Sequence, residues 1–141
     1  MQVSKQGESK RKIEQLQIKK WNPKDTKALR DLVHQTRDLS TFPEVPIVVH
    51  CSAGVGRTGT FIALYKLIEE FLDNENSHLD VYRTVKEMRR QRMKMVRKPE
   101  QYVCIFECLR EEMNNSDKIA PFSRTRTLSF GVPFSLNHLK N

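Results

Sequence analysis

Residues 46–60 read Pro-Ile-Val-Val-His-Cys-Ser-Ala-Gly-Val-Gly-Arg-Thr-Gly-Thr, and the order of residue types in this stretch decides the fold. Residues 46–50 are a short apolar run, as in a strand buried on both faces. Residues 61–72 have helical spacing, with Phe61, Leu64, Tyr65, Ile68 and Phe71 or Leu72 on one face. Strand, glycine-rich turn, then helix is a phosphate-binding order. The start of a helix leaves N–H groups unpaired and carries partial positive charge. Gly54, Gly56 and Gly59 let the backbone curl and approach an anion closely.

The turn also holds a nucleophile and a cation. Five residues separate Cys51 from Arg57, a spacing that wraps one turn of loop around a single tetrahedral oxyanion. Arg57 then offers a planar fork to two phosphate oxygens. A thiol facing several N–H donors and a guanidinium ionises well below its free value of ~8.5. Such a thiolate, held opposite phosphorus, is a nucleophile for phosphoryl transfer. Thr58 is placed to donate to the thiolate and help it leave. His50 is placed to orient the loop through hydrogen bonds.

The rest of the chain is read outward from this loop. Residues 1–12 lack apolar periodicity and are expected to be disordered. Residues 13–20, with Ile13, Leu16 and Ile18, suggest a strand that Trp21-Asn22-Pro23 ends. Residues 26–39 predict a helix through Ala28, Leu29, Leu32, Val33 and Leu39, capped by Asp25 or Thr26. Val81, Val85 and Met88 mark another helix, capped near Asp80. Pro99 opens a last helix whose expected buried stripe is Tyr102, Ile105, Phe106, Leu109 and Met113. Tyr65, Tyr82 and Tyr102 read as packing residues on their helices, and Trp21 as a packing anchor or hinge. Residues 114–141 turn to Ser, Asn and Pro and are read as a flexible tail. There, Arg124 and Arg126 before Ser129 resemble a site for basophilic kinases.

Composition bounds the function. The 141 residues carry 25 Lys+Arg against 17 Asp+Glu, a net charge of +8, with 38% hydrophobic residues. One domain with a thin core is expected. No apolar run is long enough for a membrane span, and no secretory signal follows Met1. Three cysteines are too few for a disulfide scaffold and suit a reducing compartment, the cytosol. The densest basic stretch, 89–98, has six basic residues in ten. It lacks the interleaved aromatics of a single-strand binding surface, so it reads as a solvated face and not a nucleic-acid site. Cys104 and Cys108 lie four apart on one helix without a histidine pair, which reads as core and not metal ligation.

The string HCSAGVGRTGT resembles the signature loop of the protein tyrosine phosphatases that act on phosphotyrosine. The resemblance runs from about Ile13 to Met113, and takes in the helix at 58–72 and the stretch VYRTVKEMRRQRMKMVRKPEQY at 81–102. It implies an α/β fold, here the C-terminal part of the catalytic domain, with few strands, about four helices and an incomplete sheet. It implies that Cys51 forms a phosphocysteine and that Arg57 binds phosphate. The backbone of Ser52, Ala53, Gly54, Val55 and Gly56 becomes the phosphate cradle, and Gln101 belongs to the loop that positions water. Phosphotyrosine-containing proteins are the implied partners, and neither metal nor other cofactor is implied.

Three departures from the family stand out. The family's general acid is an aspartate in a loop reading Trp-Pro-Asp-His-Gly-Val-Pro, where this chain has Trp21-Asn22-Pro23-Lys24-Asp25-Thr26. One alignment makes Asp25 the acid. The other deletes the acid segment and leaves Asp25 as a cap. The second is preferred because Pro23 leads directly into a helix. Arg97 stands where the water-positioning loop usually begins with glutamine. The N-terminal half of the family domain, with most of the sheet, has no counterpart. The expectation is therefore a cysteine-dependent phosphatase that is weak or inactive. Alternatives are a phosphotyrosine-binding module, a truncated product, or a compact dual-specificity phosphatase.

Overall fold

The computed structural model describes residues 2–3, 11–39, 46–73 and 78–116. The elements run β1 (Gln2–Val3), β2 (Arg11–Lys12), α1 (Thr26–Leu39), α2 (Gly56–Asp73), α3 (Val81–Gln91) and α4 (Pro99–Ser116). Strands β1 and β2 pair antiparallel, Gln2 opposite Lys12 and Val3 opposite Arg11. At those four residues the structure differs from the expected disorder of 1–12. The kinase-like sequence around Ser129 lies outside the described residues.

Three of the four helices start where a local polar group satisfies a free amide. Asn22 opens a turn, its Oδ1 accepting from the Lys24 amide at 3.0 Å. Asp25 Oδ1 then accepts from the Ala28 amide at 3.1 Å, an N-cap geometry. Asp80 caps α3 in the same way, accepting from the Arg83 amide at 2.8 Å. Helix α4 begins with Pro99, whose missing N–H costs nothing in the first turn. Gln101 Oε1 reaches back to the Lys98 amide at 3.1 Å, as the third helical residue does in a capping box.

Helix α2 is the centre of the molecule. Thr58 to Leu64 are all buried, as are Leu67, Ile68 and Phe71, so the helix is covered on nearly every side. Helices α1, α3 and α4 pack on it. Helix α1 contributes Leu29 and Val33, and α3 contributes Val81, Val85 and Met88. A polar clasp joins α1 to α4: Arg30 Nη2 lies 2.9 Å from Glu111 Oε2, and His34 Nε2 lies 3.0 Å from Glu112 Oε1. The hydrogen bond that His34 donates to the Glu112 carboxylate raises the imidazole pKa from its ordinary value.

The buried face of α4 is rotated from the expected stripe. It consists of Gln101, Cys104, Ile105, Cys108, Leu109 and Glu112, a strict three-and-four spacing. Phe106 and Met113 are 49% and 46% exposed. On this face Gln101 meets Gly56 of α2, while Cys108 and Glu112 meet α1. Cys104 and Cys108 Sγ are 4.0 Å apart, and Cys108 donates to the Thr26 carbonyl at 3.7 Å. Tyr82 is likewise corrected from packing to exposed, with Lys86 Nζ 5.5 Å above its ring.

Both expected core strands are corrected. Residues 13–20 and 46–50 are not strands, and Val48, expected to be buried on both faces, is 84% exposed. A strand is stabilised by a neighbour that pairs its N–H and C=O groups. Among the described residues the sheet consists of β1 and β2 alone. The central sheet of an α/β fold is therefore not formed there, and four helices carry the structure. Helix α4 also runs to Ser116, three residues into the expected tail.

Candidate active site

The loop between residue 50 and α2 folds around its own sulfur. Cys51 is half-buried, and Thr58, inside the first turn of α2, donates its hydroxyl to Cys51 Sγ at 3.1 Å. Burial pushes the thiol up. The Thr58 hydroxyl and the amides of Thr58, Gly54 and Val55 together outweigh burial and bring it down to about 7. The direction matches the expectation from the glycine-rich turn. Gly54 supplies the one backbone angle in this turn that favours glycine, with φ of +64°.

Arg57 is exposed and extends back over the loop, its Nη2 donating to Ser52 Oγ at 3.0 Å. This bond ties the guanidinium to the start of the loop. His50 is exposed. A pocket of about 440 Å³ opens here, lined by Cys51, the cradle residues Ser52, Ala53, Val55 and Gly56, and Arg57. Arg97, Lys98, Glu100 and Gln101 also line it, and Trp21 and Pro23 contribute an apolar part of its wall. Trp21 is at once a packing residue on the core and part of this wall.

A second loop, 92–98, holds the first in place. The Val96 amide donates to the Val55 carbonyl at 3.0 Å, and the Gly59 amide donates to the same oxygen at 3.2 Å. Val96 has φ of 56°, a left-handed conformation that β-branched residues rarely adopt. It is kept there by burial and by Arg89, whose Nη2 donates to the Val96 carbonyl and whose Nε donates to that of Met95, each at 2.8 Å. Arg89 was read from the sequence as part of a solvated basic face. Its bracing role has no local signal, because its partners are backbone carbonyls six and seven residues away.

Gln101 and Asp25 come out differently from each other. Gln101 is buried beside the cradle, its Nε2 2.9 Å from where a Cβ on Gly56 would lie. Asp25 is exposed, caps α1, and is not among the residues lining the pocket.

The loop thus brings together a lowered thiol, amides that bond to it and a guanidinium tied to Ser52. A sequence model described as protein-tyrosine phosphatase matches residues 1–111. The chain belongs to the protein-tyrosine phosphatase family. A receptor-type tyrosine-protein phosphatase of Caenorhabditis elegans is 37% identical over 144 residues, covering 90% of this chain and 10% of that protein. A rat protein named phosphatidylinositol phosphatase PTPRQ is 40% identical over 93 residues, covering 66% of this chain and 4% of that protein. In structure, the chain is similar to the Trypanosoma brucei tyrosine phosphatase TbPTP1, with a TM-score of 0.56 and 31% identity, over 62% of this chain and 30% of that one. The chain thus spans a small part of these relatives. Among the described residues no helix is long and apolar enough to cross a membrane.

The thiol's position leads to a measurable result. Cys51 alkylation by iodoacetamide should rise with pH through a midpoint near 7, because only the thiolate reacts. Thr58→Ala removes one donor to the anion and should move that midpoint upward. An unchanged midpoint would show that the hydroxyl does not stabilise the thiolate.

Proposed function

We propose that this chain carries the nucleophile and phosphate cradle of a protein tyrosine phosphatase acting on phosphotyrosine-containing proteins in the cytosol. The observation that carries this reading is the Cys51 thiol, lowered to about 7 and set in a ring of donors at the start of α2. In the first step the Cys51 thiolate attacks phosphorus and the tyrosyl oxygen leaves, forming a phosphocysteine. The cradle amides and Arg57 hold the phosphoryl oxygens. In the second step water attacks phosphorus, and Thr58 donates to the departing thiolate. Residues 13–113 form the part of the catalytic domain that performs this, and 114–141 its tail. Further strands would complete the α/β sheet beside residues 46–50.

A second reading is a phosphotyrosine-binding module with little turnover. Asp25, the one candidate general acid, is engaged in capping α1. Loss of a general acid typically costs ~10²–10⁴-fold in rate. Arg97 lacks the carbonyl with which glutamine accepts a hydrogen bond from water.

An assay of the full chain on a phenyl phosphate ester separates the two. Turnover abolished by Cys51→Ser supports the enzyme. Absent turnover, with phosphopeptide binding retained, supports the module. Neither turnover nor binding would overturn both. If turnover is present, Asp25→Ala tests the acid: an unchanged dependence on leaving group leaves Asp25 as a cap alone.

A further inference from the structure

We propose that residues 128–136 of this chain lie extended along the outer face of α4 and cover it. The inference goes beyond the phosphatase reading and does not depend on the chemistry of the Cys51 loop. Helix α4 carries apolar residues on two faces, and one of them is buried in the core. On the other, Val103, Phe106 and Met113 are each about half exposed. With Arg110 between them they keep a three-and-four spacing, which sets them on one stripe. The Tyr102 ring meets the Phe106 ring edge-on, with centroids 5.3 Å apart, and widens the stripe near the start of the helix.

The sequence that follows the helix supplies the occupant. Residues 128–136 read Leu-Ser-Phe-Gly-Val-Pro-Phe-Ser-Leu. Every second residue is apolar, and none of them is charged. An extended chain puts alternate residues on one side, so the segment has one apolar edge and one edge of Ser, Gly and Pro. It lies beyond the family match, which stops at residue 111. Pro133 has no N–H to give to a sheet and disfavours a place inside a ladder. The segment is therefore suited to packing its side chains on a helix, more than to pairing beside residues 46–50.

The connection sets the direction. Helix α4 ends at Ser116, and residues 117–127 lead on to Leu128. That is enough chain to turn back, with Leu128 beside Met113 and Leu136 toward Val103. Nine extended residues span about 26 Å. The stripe from Val103 to Met113 spans about 15 Å, so the segment covers all of it. The same path brings Arg124 and Arg126 to the C-terminal end of α4. The last turn of that helix has no basic residue of its own, and cations there are favoured by the free carbonyls and the helix dipole.

The test uses the full chain carrying Cys51→Ser and Met113→Cys. Cys104 and Cys108 are buried, so the thiol at position 113 is the one that a hydrophilic maleimide reaches first. It should be labelled about tenfold more slowly than in the same chain with Phe130→Ser and Phe134→Ser added, because burial of two aromatic side chains holds the covered state. Equal rates overturn the inference. A second measurement leaves α4 unaltered and places a photoreactive phenylalanine at position 130. Crosslinks to residues 103–113 of the same chain, at a yield that dilution does not change, are expected. Crosslinks to residues 46–50 would replace the helix by a strand as the docking site and overturn the inference. Crosslinks between two chains that fade on dilution would make a second copy the occupant, and absence of any crosslink would leave the face uncovered; each overturns it.

Discussion

Arg57→Met should abolish oxyanion binding. The guanidinium lines the pocket and is bonded to the Ser52 hydroxyl. Its planar fork is free to make two charge-assisted bonds to a phosphate. Each such bond contributes about 1.5–3 kcal/mol, so losing both should weaken binding about 10²–10⁴-fold. Methionine keeps the length and much of the volume, which separates loss of charge from loss of packing. The exposed position of Arg57 argues against a large change in stability. Titration calorimetry with tungstate reads the effect directly. A loss of less than tenfold would mean that the cradle amides alone hold the anion.

Gly59→Ala should unseat the same site without touching any group that contacts substrate. A methyl group on Gly59 would lie 2.5 Å from the Val96 amide nitrogen and 3.2 Å from the Met95 carbonyl carbon. Both obstacles are backbone, so no side chain can rotate away. Either α2 or the loop at 92–98 must move, and the bond from Val96 to the Val55 carbonyl goes with it. Two effects oppose one another. Alanine is favoured over glycine inside a helix by about 1 kcal/mol, while forced overpacking costs about 1–3 kcal/mol or more. At 2.5 Å the clash lies at the severe end, and a net loss of about 2 kcal/mol is expected. Urea unfolding measures it, and the Cys51 alkylation midpoint should rise in the folded fraction as the cradle loosens. A gain in stability would show that the loop yields freely.

The three glycines illustrate how far the sequence could be read. They stand together in one turn and suggest one shared purpose, a tight curl near an anion. In the structure they serve three purposes. Gly54 takes a left-handed angle, Gly56 makes room for the Gln101 amide, and Gly59 lets the loop at 92–98 touch α2. Only the first purpose is local, and local demands are the ones a sequence displays. Arg89 is exposed, as a solvated face requires, and its bonds to two backbone carbonyls are the part that the sequence does not display.

The helices were legible because caps and periodicity act within a few residues. Asp80 before Val81, and Pro99 three residues before Tyr102, mark starts that the structure keeps. The rotation of α4 was not legible. Tyr102, Phe106 and Met113 are as apolar as the residues beside them. Which face is buried depends on how α4 packs against α2 and α1, and that face carries Cys104 and Cys108. The strand at 46–50 failed differently. Its apolar run states that neighbours are wanted on both sides, and pairing depends on whether they are present.

The sequence by itself determined the chemistry of the loop. Cysteine, glycines and arginine at one spacing, ahead of a helix, place a thiol beside a hydroxyl donor and a guanidinium, because the bonds from Thr58 to Cys51 and from Arg57 to Ser52 span seven residues or fewer. The tertiary structure decided what surrounds it: the contact of the loop at 92–98 with Val55 and Gly59, the wall of Trp21 and Pro23, the placement of Arg97, and the packing of Gln101 against Gly56. Those depend on segments brought together from distant parts of the chain by burial around α2, a force that acts on area and carries no memory of sequence position.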